Sequence, residues 1–227
     1  MVQLTRTGAT VLPASGEVEA LQQSFREHHC ALFRGLIEPA VIDFVASRVG
    51  QSAFEQRQDT DIARESWLPP EACAGTLHFM VNHPDFLKFV QDVTGCPRIG
   101  HFGGRIYRFT AGEGHYDTWH SDLGHGGDRL LAMSLNLSRQ PFEGGALQIR
   151  RAGTEEILFE IANTGLGNAV IFRVDPSLEH RVCPVTGDFP RTAFAGWFFA
   201  GESDFHTIVR EEAASRAADA AVSQSAT

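Results

Sequence analysis

The stretch Arg129-Leu130-Leu131-Ala132-Met133-Ser134-Leu135-Asn136-Leu137 reads as a buried strand. Phe142-Glu143-Gly144-Gly145-Ala146-Leu147-Gln148-Ile149 follows, a Gly-Gly turn into a strand with alternating apolar residues. Gly165-Leu166-Gly167-Asn168 turns into Ala169-Val170-Ile171-Phe172, and a turn containing Gly187 leads into Arg191-Thr192-Ala193-Phe194-Ala195-Gly196-Trp197-Phe198. Short strands separated by turn signals predict a mainly β fold with supporting helices, a sandwich or barrel of the jelly-roll kind. Composition agrees. The 227 residues include 22 Gly and 10 Pro, which suit a turn-rich β fold, and 43% hydrophobic with 21% charged content is that of a globular chain. That length buries a sizeable core and is most simply one domain.

Working back along the chain, His120-Ser121-Asp122 precedes this run, and a lone His180 in Glu-His-Arg-Val-Cys-Pro-Val falls inside it. Two imidazoles and one carboxylate make a three-point face on a metal and leave the opposite face open, the arrangement of non-haem Fe(II) oxygenases. In an extended strand residues two apart share a side, so His120 and Asp122 are expected to grip one ion while His180 arrives from another strand. Arg191 offers a permanent charge and a planar fork suited to a carboxylate. Two other His-x-Asp triplets compete. His83-Pro84-Asp85 follows Asn82 and reads as a helix start. His115-Tyr116-Asp117 follows Gly112-Glu113-Gly114 and stays open as the minor alternative.

Taken together, Gly112, His120-x-Asp122, Arg129, Gly144-Gly145, the segment from Gly167 to Phe172, His180, Pro184-Val185, Arg191 and Trp197 resemble the Fe(II)/2-oxoglutarate-dependent oxygenases of the prolyl-hydroxylase-like branch. The stretch from Cys30 to Ile37 resembles that family's first strand and the turn into its first helix. The resemblance implies a double-stranded β-helix, cupin-like in core, that uses Fe(II), 2-oxoglutarate and O2, with ascorbate in the assay. His120, Asp122 and His180 would hold iron and Arg191 the distal carboxylate of 2-oxoglutarate. Where the family often places a Tyr, this chain has Phe109; Tyr107 faces the same way and is taken to substitute. The place of a second family Tyr is Asn136. Tyr107, Asn136 and Trp197 are therefore the remaining expected co-substrate residues. Arg105, and the pair Gln148 and Arg150, are expected to line the substrate cavity by strand alternation. No catalytic residue beyond the iron ligands is needed. The implied activity is hydroxylation of an unactivated C–H bond in a small molecule or an amino-acid or peptide side chain, with release of succinate and CO2. The alternative is a cupin-like metal-binding isomerase or a non-catalytic sensor barrel, which would have no need of Arg191.

The rest of the chain sets bounds. A net charge of −9 argues against a broad nucleic-acid or anionic-membrane surface, although a local basic cluster such as Arg150-Arg151 could still meet an acidic substrate. No basic run with an apolar core opens the chain, and no stretch approaches the roughly 18 apolar residues of a membrane span. Cys30, Cys73, Cys96 and Cys183 are far apart and read as reduced thiols of a cytoplasmic protein. Residues 1–98 are expected to form helical support, with helices from Glu17, from Glu38-Pro39 and from Asn82 to Thr94, plus first strands and a polar stretch from Gln51 to Pro70 that is either a surface loop or a lid. Residues 99–202 form the catalytic core, and 203–227 a C-terminal helix or disordered tail. His125 could reach the mouth of the site, whereas His28, His29, His78, His101 and His206 read as structural or surface residues.

Overall fold

The structure is a computed structural model and describes residues 2–11, 16–59, 63–69, 74–124 and 128–201. The expected tail, Cys73, His125 and His206 lie outside these residues. In chain order the elements are β1 (Val2–Thr5), β2 (Gly8–Val11), α1 (Glu17–His28), β3 (Cys30–Phe33), α2 (Pro39–Gly50), β4 (Glu55–Asp59), β5 (Ala63–Trp67), α3 (Ala74–Val81), α4 (Pro84–Thr94), β6 (His101–Phe109), β7 (Tyr116–Asp117), β8 (Arg129–Asn136), β9 (Leu147–Arg151), β10 (Ile157–Ile161), β11 (Ala169–Arg173), β12 (Leu178–Val182) and β13 (Arg191–Phe199).

The major sheet runs β3-β11-β8-β13-β6-β5-β4, with β7 added on β5. The minor sheet runs β10-β9-β12. Pairings within both sheets are antiparallel. Strand alternation gives the major sheet two different faces. Outward, Leu131, Met133 and Leu135 of β8 and Phe194 and Phe198 of β13 are buried with Phe102 and Ile106 of β6 under the helices, against Leu77, Phe86 and Val90. Inward, Ala132, Ala193, Tyr107, Phe109, Val170 and Phe172 meet Leu147, Ile149, Leu178 and Val182 of the minor sheet. Two sheets closing over a shared core make the expected double-stranded β-helix.

The Gly144-Gly145 turn closes the minor sheet on the strand that carries Arg191. Both glycines have positive φ, 68° and 61°. A Cβ on Gly144 would stand 2.2 Å from the Pro184 carbonyl oxygen, and one on Gly145 would stand 3.1 Å from Arg191 Cδ. Only glycine combines this backbone with so close an approach.

The structure departs from expectation in the N-terminal part. The third expected helix is α4, which starts at Pro84 with His83 rather than Asn82 at its N-cap, and it is preceded by an unexpected helix, α3, which has no strong periodic signal. The His83 Nδ1 accepts the Asp85 N–H at 3.3 Å. Asn82 instead clasps β6, accepting from the Phe102 N–H at 2.7 Å and donating to the Phe102 carbonyl at 3.0 Å. The polar stretch from Gln51 to Pro70 contains the β4–β5 hairpin, which extends the major sheet beyond β6. Its polar residues hid the strands; they pair across the hairpin instead of alternating with core residues, as where Gln56 Nε2 donates to Ser66 Oγ at 3.1 Å.

Candidate active site

A cavity of about 130 Å3 opens between the sheets, and His120, Asp122, His180 and Arg191 all line it. The regular strand expected through His120 and Asp122 is not there. β7 stops at Asp117, and Asp122 opens a one-turn 3-10 segment, Asp122–Gly124. What brings the two histidines together is an isolated antiparallel bridge: the His120 N–H donates to the His180 carbonyl at 3.1 Å, and the His180 N–H returns to the His120 carbonyl at 2.9 Å. The imidazole centroids are 4.3 Å apart. The chain then turns, and the Asp122 carboxylate faces both rings, with Oδ1 3.7 Å from His120 Nε2 and Oδ2 3.4 Å from His180 Nε2.

This set fits a metal ion. The three donors lie within 4.8 Å of one another. Metal–ligand bonds of about 2 Å bring donors on one face to about 3 Å, so a small inward adjustment suffices. The tautomer is also right. His120 Nδ1 lies 2.7 Å from the Thr118 carbonyl, which can only accept, so Nδ1 carries the proton and Nε2 offers its lone pair to the centre. His180 packs on Phe172, and burial pushes its imidazole down to about 4, so it is neutral and able to ligate near pH 7.

Neighbours hold these three side chains in place. Trp197 Nε1 donates to Asp122 Oδ2 at 2.6 Å. Arg129 Nη1 donates to the Asp122 carbonyl at 3.0 Å and lies 3.5 Å from Oδ1, while its guanidinium stacks 3.7 Å over the Trp197 ring. Asp117 Oδ2 accepts from the Val182 N–H at 2.9 Å, and Oδ1 stands 3.4 Å from His120 Nδ1. Burial pushes the Asp117 carboxyl up to about 6, against the pull of His120.

At the other end of the cavity Arg191 is buried. Its Nη2 donates to Ser134 Oγ at 3.0 Å and its Nη1 to the Tyr107 hydroxyl. Tyr107 thus stands beside Arg191, as the strand alternation predicts. Arg105 sits at the rim, gripped by the buried Glu65 through Nε at 2.5 Å and Nη2 at 3.1 Å.

Other expected residues are elsewhere. Asn136 does not line this cavity; its Oδ1 accepts the Ser138 N–H at 2.8 Å, and it borders a smaller space behind Arg191. Gln148 and Arg150 share a face, as expected, but it is the outer one. Leu147 and Ile149 take the interior because their burial is favourable, and Arg150 pairs with Glu179 at 2.8 Å. Trp119 also points away from the cavity, between the guanidiniums of Arg150 and Arg181 at 4.2 and 4.4 Å. Trp197 does line the cavity, but its polar contact is to Asp122. His115 is buried away from the cluster; its Nδ1 accepts the Thr110 N–H at 2.9 Å and its Nε2 meets Ser66 Oγ and Gln56 Oε1. Its triplet partner Asp117 does line the cavity, as a neighbour of His120. Sequence reasoning missed Ser134, which stands opposite Ala195 of β13 and is reached along the shared face by the Arg191 side chain, and Glu65, hidden in the polar hairpin.

Residues 104–199 match the model of the 2OG-Fe(II) oxygenase superfamily. No curated protein matches the chain by sequence. Among solved structures, a Pseudomonas putida prolyl-4-hydroxylase is similar with a TM-score of 0.59 at 17% identity, over 81% of this chain and 99% of that one. An oxidoreductase of the 2OG-Fe(II) oxygenase family from Burkholderia pseudomallei gives a TM-score of 0.60 at 16% identity, over 89% and 98%. A non-heme alpha-ketoglutarate-dependent epimerase from nogalamycin biosynthesis gives 0.60 at 13%, over 80% of each chain. The family match covers the segment that carries His120 and Asp122 and the strands that carry His180 and Arg191, and the fold is similar to that of the prolyl-4-hydroxylase: over residues 104–199 this chain is similar to the 2OG-Fe(II) oxygenase superfamily.

Proposed function

We propose that this protein is a 2OG-Fe(II) oxygenase and a hydroxylase, acting on an unactivated C–H bond of a small molecule or of an amino-acid or peptide side chain. The observation that carries the reading is one cavity holding both the His120/Asp122/His180 face and the Arg191 guanidinium. In this reading His120 Nε2, the Asp122 carboxylate and His180 Nε2 hold Fe(II) on one side and leave its other side to ligands from the cavity. Iron with 2-oxoglutarate and O2 supplies a two-electron oxidation of the substrate, coupled to oxidative decarboxylation of 2-oxoglutarate to succinate and CO2.

The chain's own residues position and enclose. Arg191 holds the distal carboxylate of 2-oxoglutarate by a charge-assisted fork, and Tyr107 and Ser134 fix that fork before the ligand arrives. Trp197 and Arg129 keep the Asp122 carboxylate aimed at the metal. Ala132, Leu147, Phe172 and Val182 line the space between and exclude water. A cupin-like isomerase or sensor would leave Arg191 without a task. No helix of the described residues is long and apolar enough to cross a membrane, and a cytoplasmic setting belongs to the same proposal.

The test is succinate formation from 2-oxoglutarate with Fe(II) and ascorbate, followed by mass spectrometry of substrate products made in chloride buffer under oxygen-18. Incorporated oxygen-18 is the expected result. Inversion of a stereocentre without added oxygen would assign epimerisation instead, and a chlorinated product would sink the hydroxylase reading.

A further inference from the structure

An open groove of about 470 Å3 adjoins the metal cavity and shares Arg105, Arg129 and Trp197 with it. Gly103 of β6 contributes no side chain on this face, which leaves this space, and Gly104, Arg57 from β4 and Phe199 from the end of β13 complete its lining. Three of the seven residues lining the groove are arginines and none is acidic. That is unusual on a chain whose net charge is −9. The guanidiniums of Arg105 and Arg129 are held in place. Glu65, buried beneath, grips Arg105 and stands directly across the hairpin from Arg57 in the strand register. Arg129 is tied to Asp122 and stacked on Trp197.

From this geometry we infer that the primary substrate carries an oxyanion, a carboxylate or a phosphate, next to an apolar or planar body. Resting on the oxygenase reading, it names the substrate class for the same site. The arginines take the oxyanion, and Trp197 and Phe199 take the body. Because Trp197 reaches from the groove to Asp122, a ligand so held projects toward the metal face. The groove volume is that of a small-molecule site. The chain as a whole carries a net charge of −9, so the arginines make this groove the place that attracts such an anion. Arg105, expected from strand alternation to meet substrate, is one of three cations in this role, and Arg57 comes from the hairpin that the sequence hid.

The experiment uses full-length protein with Mn(II), which is redox-silent, and one equivalent of 2-oxoglutarate. Calorimetry compares phenylacetate, phenyl phosphate and the neutral phenylacetamide as probes. The anions should bind at least about tenfold tighter than the amide. Arg57→Glu should remove that preference, Arg57→Lys should keep most of it, and Arg151→Gln, on an exposed arginine of the minor sheet, should leave it intact. Melting temperatures check that each variant is folded. The tighter of the two anions identifies the source of the oxyanion. Equal binding of the amide, an unchanged preference in Arg57→Glu, or no binding of any probe at tens of millimolar overturns the inference. Binding of 2-oxoglutarate is measured first in the same preparation. If it binds and the probes fail, the groove inference falls alone; if it does not bind, the oxygenase reading falls, and the anion-to-amide comparison still judges the groove.

Discussion

The two faces of the major sheet are built from the same strands and do opposite work. On β8 and β13 the outward residues Leu131, Met133, Leu135, Phe194 and Phe198 are all apolar and buried under helices. The inward residues of the same strands include Ser134, Arg191 and Trp197, which hold one another, Tyr107 or Asp122 by directed hydrogen bonds. The outer face needs only apolar volume and tolerates changes of shape within limits. The inner face needs donors and charges at fixed positions, and those are rigid because the other face is so well packed. Stability and chemistry are thus separated by a single-residue alternation.

That division can be broken most severely at the metal face. His120→Ala or His180→Ala should abolish Fe(II) binding and turnover, measured by metal titration and succinate release. Leu131→Ala, on the outer face, should cost about 2–5 kcal/mol of stability in denaturant unfolding while the folded fraction still binds iron. His115→Ala should likewise keep iron affinity and lose only stability, because its partners are Thr110, Ser66 and Gln56. If His115→Ala lost iron and His120→Ala kept it, the assignment of the two triplets would be reversed.

The next effect in size is at Arg191. Arg191→Gln keeps bulk and polarity but removes the charge and the fork, a loss of about 1.5–3 kcal/mol, or roughly tenfold to a hundredfold in the KM for 2-oxoglutarate. Tyr107→Phe should raise that KM by less, since it only loosens the guanidinium. An unchanged KM in Arg191→Gln would take Arg191 out of the site. Trp197→Phe sharpens the comparison further. It keeps the ring under Arg129 and removes the N–H that Asp122 accepts, so iron affinity should fall about tenfold, the low end for a lost outer-shell partner, with little change in melting temperature.

The smallest effect concerns Cys30, on the inward face of β3. Burial pushes its thiol up from the ordinary value of about 9 to about 12. The unfolded chain therefore ionises first. Stability from this group is complete below about pH 9 and is lost as pH rises from there toward 12. Cys30→Ala should flatten that part of the stability-versus-pH curve, and native Cys30 should resist alkylation near pH 8 until the protein unfolds.

Legibility followed periodicity. β8, β9, β11 and β13 are readable because their apolar residues alternate or run between glycine turns, and β12 is readable through His180. The β4–β5 hairpin and α3 are not, because their residues are polar or evenly apolar and acquire a face only from what they pack against. The alternation of Gln148 and Arg150 was readable, but which face is interior was not, since either set could point inward until the minor sheet has closed.

By itself the sequence determined the chemistry available: two imidazoles, a carboxylate and a distant guanidinium, each on or beside a segment whose turns are spelled out by glycine. It also determined that Gly144-Gly145 must turn where it does, because no other residue fits a positive φ so near Pro184. Only the tertiary structure decided how these groups meet. His120 and Asp122 share a target through one isolated bridge to His180 and a 3-10 turn, not through a strand. Trp197 reaches Asp122, Ser134 and Tyr107 flank Arg191, and Arg57 joins Arg105 and Arg129 over Glu65 because sheet register brings distant segments side by side. Such contacts depend on long-range closure, which local propensity does not encode.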